Sequence, residues 1–94
     1  MEVTGQLGVK VLYFYTDWCA SCKNFNPYYQ RAIAELGSMV THQSINTDQD
    51  KDSAAKYAVT SVPTIIILKN GTEFFRNVGE LSINRLKNLV RGNL

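Results

Sequence analysis

The chain is poor in the residues on which several protein classes depend. Its 94 residues include only two cysteines, two prolines, one histidine and one tryptophan. No window approaches the ~18 consecutive apolar residues that cross a bilayer, so no membrane span is expected. Met1-Glu2-Val3-Thr4-Gly5 carries neither a basic stretch nor a long apolar one, and no secretory signal is read there. The formal charge is only +2, and the lysines and arginines are scattered without a run or stripe. Nucleic acid is therefore not the expected partner. A closed zinc site needs four ligands, and two cysteines with one distant histidine, His42, do not supply them. No repeat, low-complexity tract or linker interrupts the chain.

What remains is an ordinary globular composition, 45% hydrophobic and 19% charged, long enough for one modest core. Residues 1–94 read as a single domain. Both cysteines fall in Tyr13-Phe14-Tyr15-Thr16-Asp17-Trp18-Cys19-Ala20-Ser21-Cys22-Lys23, where an aromatic, apolar run stops at a short polar turn. Thiols at i and i+3 of a helix share one face and are close enough to close a small disulfide ring. A helix start concentrates partial positive charge, which favours the thiolate of the first cysteine. Cys19 is thus the expected nucleophile, exposed at the helix start, and Cys22 the resolving thiol. In a cytoplasmic setting a lone Cys-x-x-Cys means redox or metal chemistry rather than a structural staple.

Taken in order, Val9 to Tyr15 is β-branched, aromatic and almost continuously apolar, the pattern of a strand covered on both faces. Cys22, Phe25, Tyr29, Ile33 and Leu36 recur at three- and four-residue steps, which predicts a helix from Cys19 to Leu36, kinked at Pro27 and stopped by Gly37-Ser38. Met39 to Asn46 reads as a strand. Its polar centre, Thr41-His42-Gln43-Ser44, suits a sheet edge. A short helix over Ser53 to Tyr57 follows the Asp48-Gln49-Asp50 turn, with Ala54, Ala55 and Ala58 inward. Ile65 to Leu68 is the clearest buried strand, and Asn70-Gly71 returns the chain antiparallel over Thr72 to Val78. Ser82 caps a last helix to Arg91, with Ile83, Leu86, Leu89 and Val90 inward and Gly92 closing it. The order is β-α-β-α-β-β-α, a central mixed sheet of about four strands with helices on both faces.

Trp18-Cys19-Ala20-Ser21-Cys22-Lys23, Pro27, Asn46 with Asp48-Gln49, Val62-Pro63-Thr64, Lys69-Asn70-Gly71 and Val78-Gly79 follow one another as they do in the thioredoxin family. The chain resembles that family from Val9 onward, as a short version of its α/β fold without the leading strand and helix. Eight residues precede Val9, which leaves room only for a short strand at Met1 to Thr4. The resemblance implies that Pro63 is cis and faces the cysteines. It also implies that Trp18, Val62, Pro63, Thr64, Val78 and Gly79 form an apolar docking patch with backbone groups open to an extended substrate. Without the leading helix, apolar sheet surface should be thinly covered on one face, which predicts low stability or a weak dimer.

Two further departures concern the site. Thioredoxins bury an acid beneath the second cysteine; the matching residue here is Tyr13, and the lysine that partners the acid is matched by Ser44. A phenol is a poor proton acceptor near neutrality, so resolution of mixed disulfides should be slow and its pH dependence flat. Between the cysteines stand Ala20-Ser21 instead of the family's usual Gly-Pro, and Ser21 can offer a hydroxyl to the Cys19 sulfur. Lys23 and Asp17 flank the pair in solvent, where single charges count for little. The resemblance implies a protein disulfide reductase that needs no cofactor beyond its own Cys19–Cys22 couple. Thioredoxin reductase or another thiol carrier would stand on one side and disulfide-containing proteins on the other. The expected compartment is the cytoplasm; an extracytoplasmic one stays open if a signal has been removed. Two alternatives follow from the same residues: a binding subunit that docks partners through Trp18, Pro63 and Gly79, and a glutaredoxin-like protein bridging a cluster between two copies.

Overall fold

A nearly continuous apolar run places the first strand inside the sheet. In this computed structural model, which describes residues 8–94, β1 (Val9–Tyr15) is flanked on one side by parallel β2 (Val40–Asn46) and on the other by antiparallel β3 (Thr64–Lys69). β4 (Thr72–Val78) completes the order β2-β1-β3-β4. Every strand residue from Val11 to Phe14 is buried, as a strand covered on both faces requires. Whether Met1 to Thr4 forms a strand lies outside the described residues.

Helix α1 (Ala20–Leu36) lays Cys22, Phe25, Tyr29, Ala32, Ile33 and Leu36 on one face of the sheet. It runs through Pro27 unbroken. Gly37, at φ +56°, ends the helix in a conformation that a Cβ would disfavour. The chain then makes one 3-10 turn over Gly37–Met39, so Met39 belongs to that turn and β2 starts one residue later than its sequence suggests. Helix α3 (Ile83–Arg91) packs beside α1 with Leu86 and Val90 fully buried and Ile83 and Leu89 half-buried. The Ser82 hydroxyl accepts the Arg85 N–H at 3.3 Å, satisfying one of the unpaired amides of the first turn.

The other face carries Leu12, Phe14, Ile45, Ile66 and Leu68, packed by Tyr57, Val59 and Val62. None of those five is more than 7% exposed. The thinly covered face expected from the sequence is therefore not found among the described residues. Helix α2 (Lys51–Lys56) corrects a second expectation: it buries no residue, and Ala55 and Ala58 face solvent. Ala58 turns to φ +54° and takes the chain off the helix, so reach is supplied by the larger Tyr57, Val59 and Val62. Arg76 on β4 holds this segment down. Its guanidinium donates to the Tyr57 carbonyl at 2.6 Å and the Ala58 carbonyl at 3.3 Å, while Glu73 grips it from the same strand at 2.9 Å.

At the hairpin, Asn70 and Gly71 both take positive φ, +51° and +86°, as a tight two-residue turn demands. Beyond it, β4 bulges at Phe74, which has no cross-strand partner and is 38% exposed. These elements leave the carboxyl end of β1, the start of α1, the Val62–Pro63 loop and the end of β4 at one end of the sheet.

Candidate active site

The site grows from the switch of β1 into α1. Cys19 is the N-cap residue, and its sulfur stands where a serine or aspartate oxygen usually does, accepting the Cys22 N–H at 3.1 Å. The Ser21 hydroxyl makes no such bond, contrary to its expected role; Ser21 and Ala20 are exposed, and the backbone amide of Cys22 has the position instead. The Cys19 thiol also donates to the Val62 carbonyl at 3.7 Å across the site. This contact explains a second correction: Cys19 is only 6% exposed, because the Val62–Pro63 loop lies over it. Cys22 is deeper, at 3%. Burial, reinforced by its bond with Cys19, pushes the Cys22 thiol up to about 11, against a smaller opposing pull from the Thr16 backbone. Both cysteines are free thiols.

The structure brings the remaining patch residues to the same end. The Val62–Pro63 peptide is cis, the Gly79 N–H donates to the Pro63 carbonyl at 2.8 Å, and Thr64 pairs with Val78 across the hairpin. Thr64 is buried with its hydroxyl on the Ser61 carbonyl at 2.7 Å, so its side chain braces the loop instead of facing a substrate. Trp18 and Val78, 70% and 63% exposed, are large apolar surfaces beside the thiols. The Trp18 indole N–H donates to the Asp48 carboxylate at 2.7 Å, which holds the ring over a hollow shared with Val62. Sequence reasoning missed Asp48 in this role: thirty residues separate the pair, and nothing local marks it.

Tyr13 lies beneath Cys22 as expected, 2% exposed, and opposite Ser44 in the β1–β2 register. Its hydroxyl points to the Cys22 backbone carbonyl at 3.4 Å, not to the thiol. The ring packs against Tyr29, Tyr15 and Phe25, with centroids 4.5, 5.6 and 5.7 Å away. Burial drives the phenol well above its ordinary range, so it holds its proton at any working pH. Lys23 is exposed and lines a groove with Cys22. His42 is exposed on β2, paired with Val11, remote from both thiols. Among the described residues, no three His, Cys, Asp or Glu side chains are grouped to hold a metal, and no helix is long and apolar enough to cross a membrane.

This arrangement has close counterparts. The thioredoxin family model matches residues 2–92. The thioredoxin of Mycoplasma pneumoniae is 34% identical over 80 residues, which is 85% of this chain and 78% of that protein. The thioredoxin of Bacillus subtilis is 32% identical over 87 residues, 93% of this chain and 84% of its own length. Among solved structures, Fasciola hepatica thioredoxin superposes with a TM-score of 0.85 at 28% identity, covering 97% of this chain and 86% of that one. Such relatives carry the fold and the activity together, a thiol-disulfide oxidoreductase that reduces disulfides. On the family model, the two bacterial homologues and the shared fold, this chain belongs to the thioredoxin family.

Proposed function

We propose that the chain reduces protein disulfides by a two-step exchange in which Cys19 attacks and Cys22 resolves. The observation that carries this is the Cys19 sulfur at the α1 N-cap, facing the Cys22 amide at 3.1 Å while Cys22 stays buried one turn deeper. An amide aimed at sulfur supports the negative charge that attack requires. Cys19 forms a bond with one substrate sulfur as the substrate disulfide breaks, and the other sulfur leaves as a thiolate. Cys22 then gives up its proton and attacks Cys19. The Cys19–Cys22 bond forms, and the second substrate sulfur departs. Two electrons pass to the substrate, and the protein ends oxidised.

The substrate lies as an extended segment on the Val62–Pro63 backbone, its apolar side chains against Trp18, Val62 and Val78, with Gly79 leaving room beside them. The couple needs no cofactor or metal. Its electrons come from a thioredoxin reductase or another thiol carrier, and the cytoplasm, where thiols are kept reduced, is the compartment that suits a reductase. The protein acts as a monomer or a weak dimer.

Insulin-disulfide reduction, run with the redox potential against glutathione, tests the reading. Native protein reduces insulin, Cys19→Ser does not, and Cys22→Ser halts as a covalent mixed disulfide. Retained reduction by Cys19→Ser would reject the assignment. A dithiol no more reducing than glutathione would reverse the direction of electron flow.

A further inference from the structure

Resolution requires that Cys22 lose its proton, and the neighbours that bury it cannot take it. Tyr13 keeps its own proton and points to the Cys22 carbonyl. The route out lies on the other side. A groove of about 440 Å³ opens beside Cys22, walled by Tyr13 of β1, Thr16 and Asp17 of the turn, Lys23 of α1 and Ser44 of β2. It is open here because Ser44, paired with Tyr13, is small. Its lining includes one carboxylate, Asp17, and one cation, Lys23. Thr16 adds a polar demand to the wall: it is 3% exposed, and its hydroxyl has no partner among the described residues. A volume of this size with several polar walls holds water.

We propose that this groove is the proton outlet of the resolving step, with Asp17 accepting the Cys22 proton through groove water. The inference rests on the exchange chemistry proposed above and adds the group that drives its second half. In that step the S–H bond of Cys22 breaks, its proton reaches the Asp17 carboxylate through water, and the thiolate attacks Cys19. The substrate thiolate leaves and takes a proton from solvent. The titratable and charged groups around Cys22 are Cys19, Lys23, Asp17, Tyr13 and Tyr15; β2 contributes only uncharged Ser44 to the groove.

The test mixes reduced protein with glutathione disulfide, quenches in acid and follows the mixed disulfide by mass, so formation and decay are read separately. Asp17→Asn should leave formation unchanged and slow decay by on the order of tenfold, less than a directly bonded base supplies because water intervenes. Asp17→Glu should restore decay. Ser44→Leu, which fills the groove, should slow it as Asp17→Asn does. Formate should accelerate decay in Asp17→Asn but not in Ser44→Leu. Unchanged decay in Asp17→Asn overturns the inference and leaves the exchange reading standing. Failure of the native chain to form any mixed disulfide overturns both.

Discussion

Replacing Tyr13 with aspartate offers the sharpest test of how this site departs from its relatives. The substitution removes a ring packed on three other aromatics, at centroid distances of 4.5 to 5.7 Å. Losing a buried aromatic costs about 3–5 kcal/mol, a large part of the ~5–15 kcal/mol that holds a domain together. Part of the loss is offset because the new carboxyl borders the groove and can be hydrated there. Low-dielectric surroundings raise its pKa above the usual carboxylate range, so it becomes a base of useful strength near neutrality. A positioned base contributes about 10²–10⁴-fold, and the decay of the mixed disulfide at pH 7 should rise toward that range. The gain should appear as pH rises through the raised carboxyl value and vanish below it. Rapid-quench decay of the glutathione mixed disulfide measures it, with near-UV circular dichroism to establish that the variant is folded. Tyr13→Phe is the control. It keeps the ring and removes only a long 3.4 Å bond, so it should cost no more than about 1 kcal/mol and leave decay unchanged. A folded Tyr13→Asp variant with no faster second step would refute the argument that resolution is limited by the lack of an acceptor directly beside the Cys22 thiol.

Two further outcomes follow from burial. The Cys22 thiol is lifted from 9.0 to about 11, so the folded chain holds that proton more tightly than the unfolded one. The stability this confers is complete below the unfolded thiol's range and is lost as pH rises through about 11. Urea unfolding should show reduced protein weakening against oxidised protein between pH 9 and 11, and a constant difference between the two forms would contradict the assignment. Leu86 is fully buried between α3 and the sheet, and Leu86→Ala should cost about 2–5 kcal/mol. At ~4–8 °C per kcal/mol, Tm should fall by at least about 8 °C, and a fall of a degree or two would mean that α3 carries little of the core.

Local chemistry explains which features were legible without coordinates. β1 and β4 have the bounds their residues suggest, because β1 is an apolar run broken by Thr16 and β4 is framed by the Asn70-Gly71 turn and Gly79. The α1 stripe through Cys22, Phe25, Tyr29, Ile33 and Leu36 is a matter of helical period, and the Ser82 cap one of first-turn amides. The polar centre of β2 lies at a sheet edge among the described strands, as Thr41 to Ser44 implied. Three alanines suggest an inward face for α2, but a six-residue helix followed by Ala58 at φ +54° leaves Ala55 and Ala58 in solvent and only half-buries Ala54.

For the cysteines, sequence determined the pair, its order and its place at a helix start, since a three-residue spacing after a strand and a polar turn permits little else. Tertiary structure decided how the pair is poised. Val62 reaches Cys19 from 43 residues away, Asp48 reaches Trp18 from 30, and Arg76 pins the Tyr57 carbonyl from 19. The Tyr13 hydroxyl turns to a carbonyl instead of a thiol, and Ser44 leaves the groove open. Such contacts join residues remote in the chain, and the distances that set burial, charge and proton access at Cys22 exist only once the sheet has assembled.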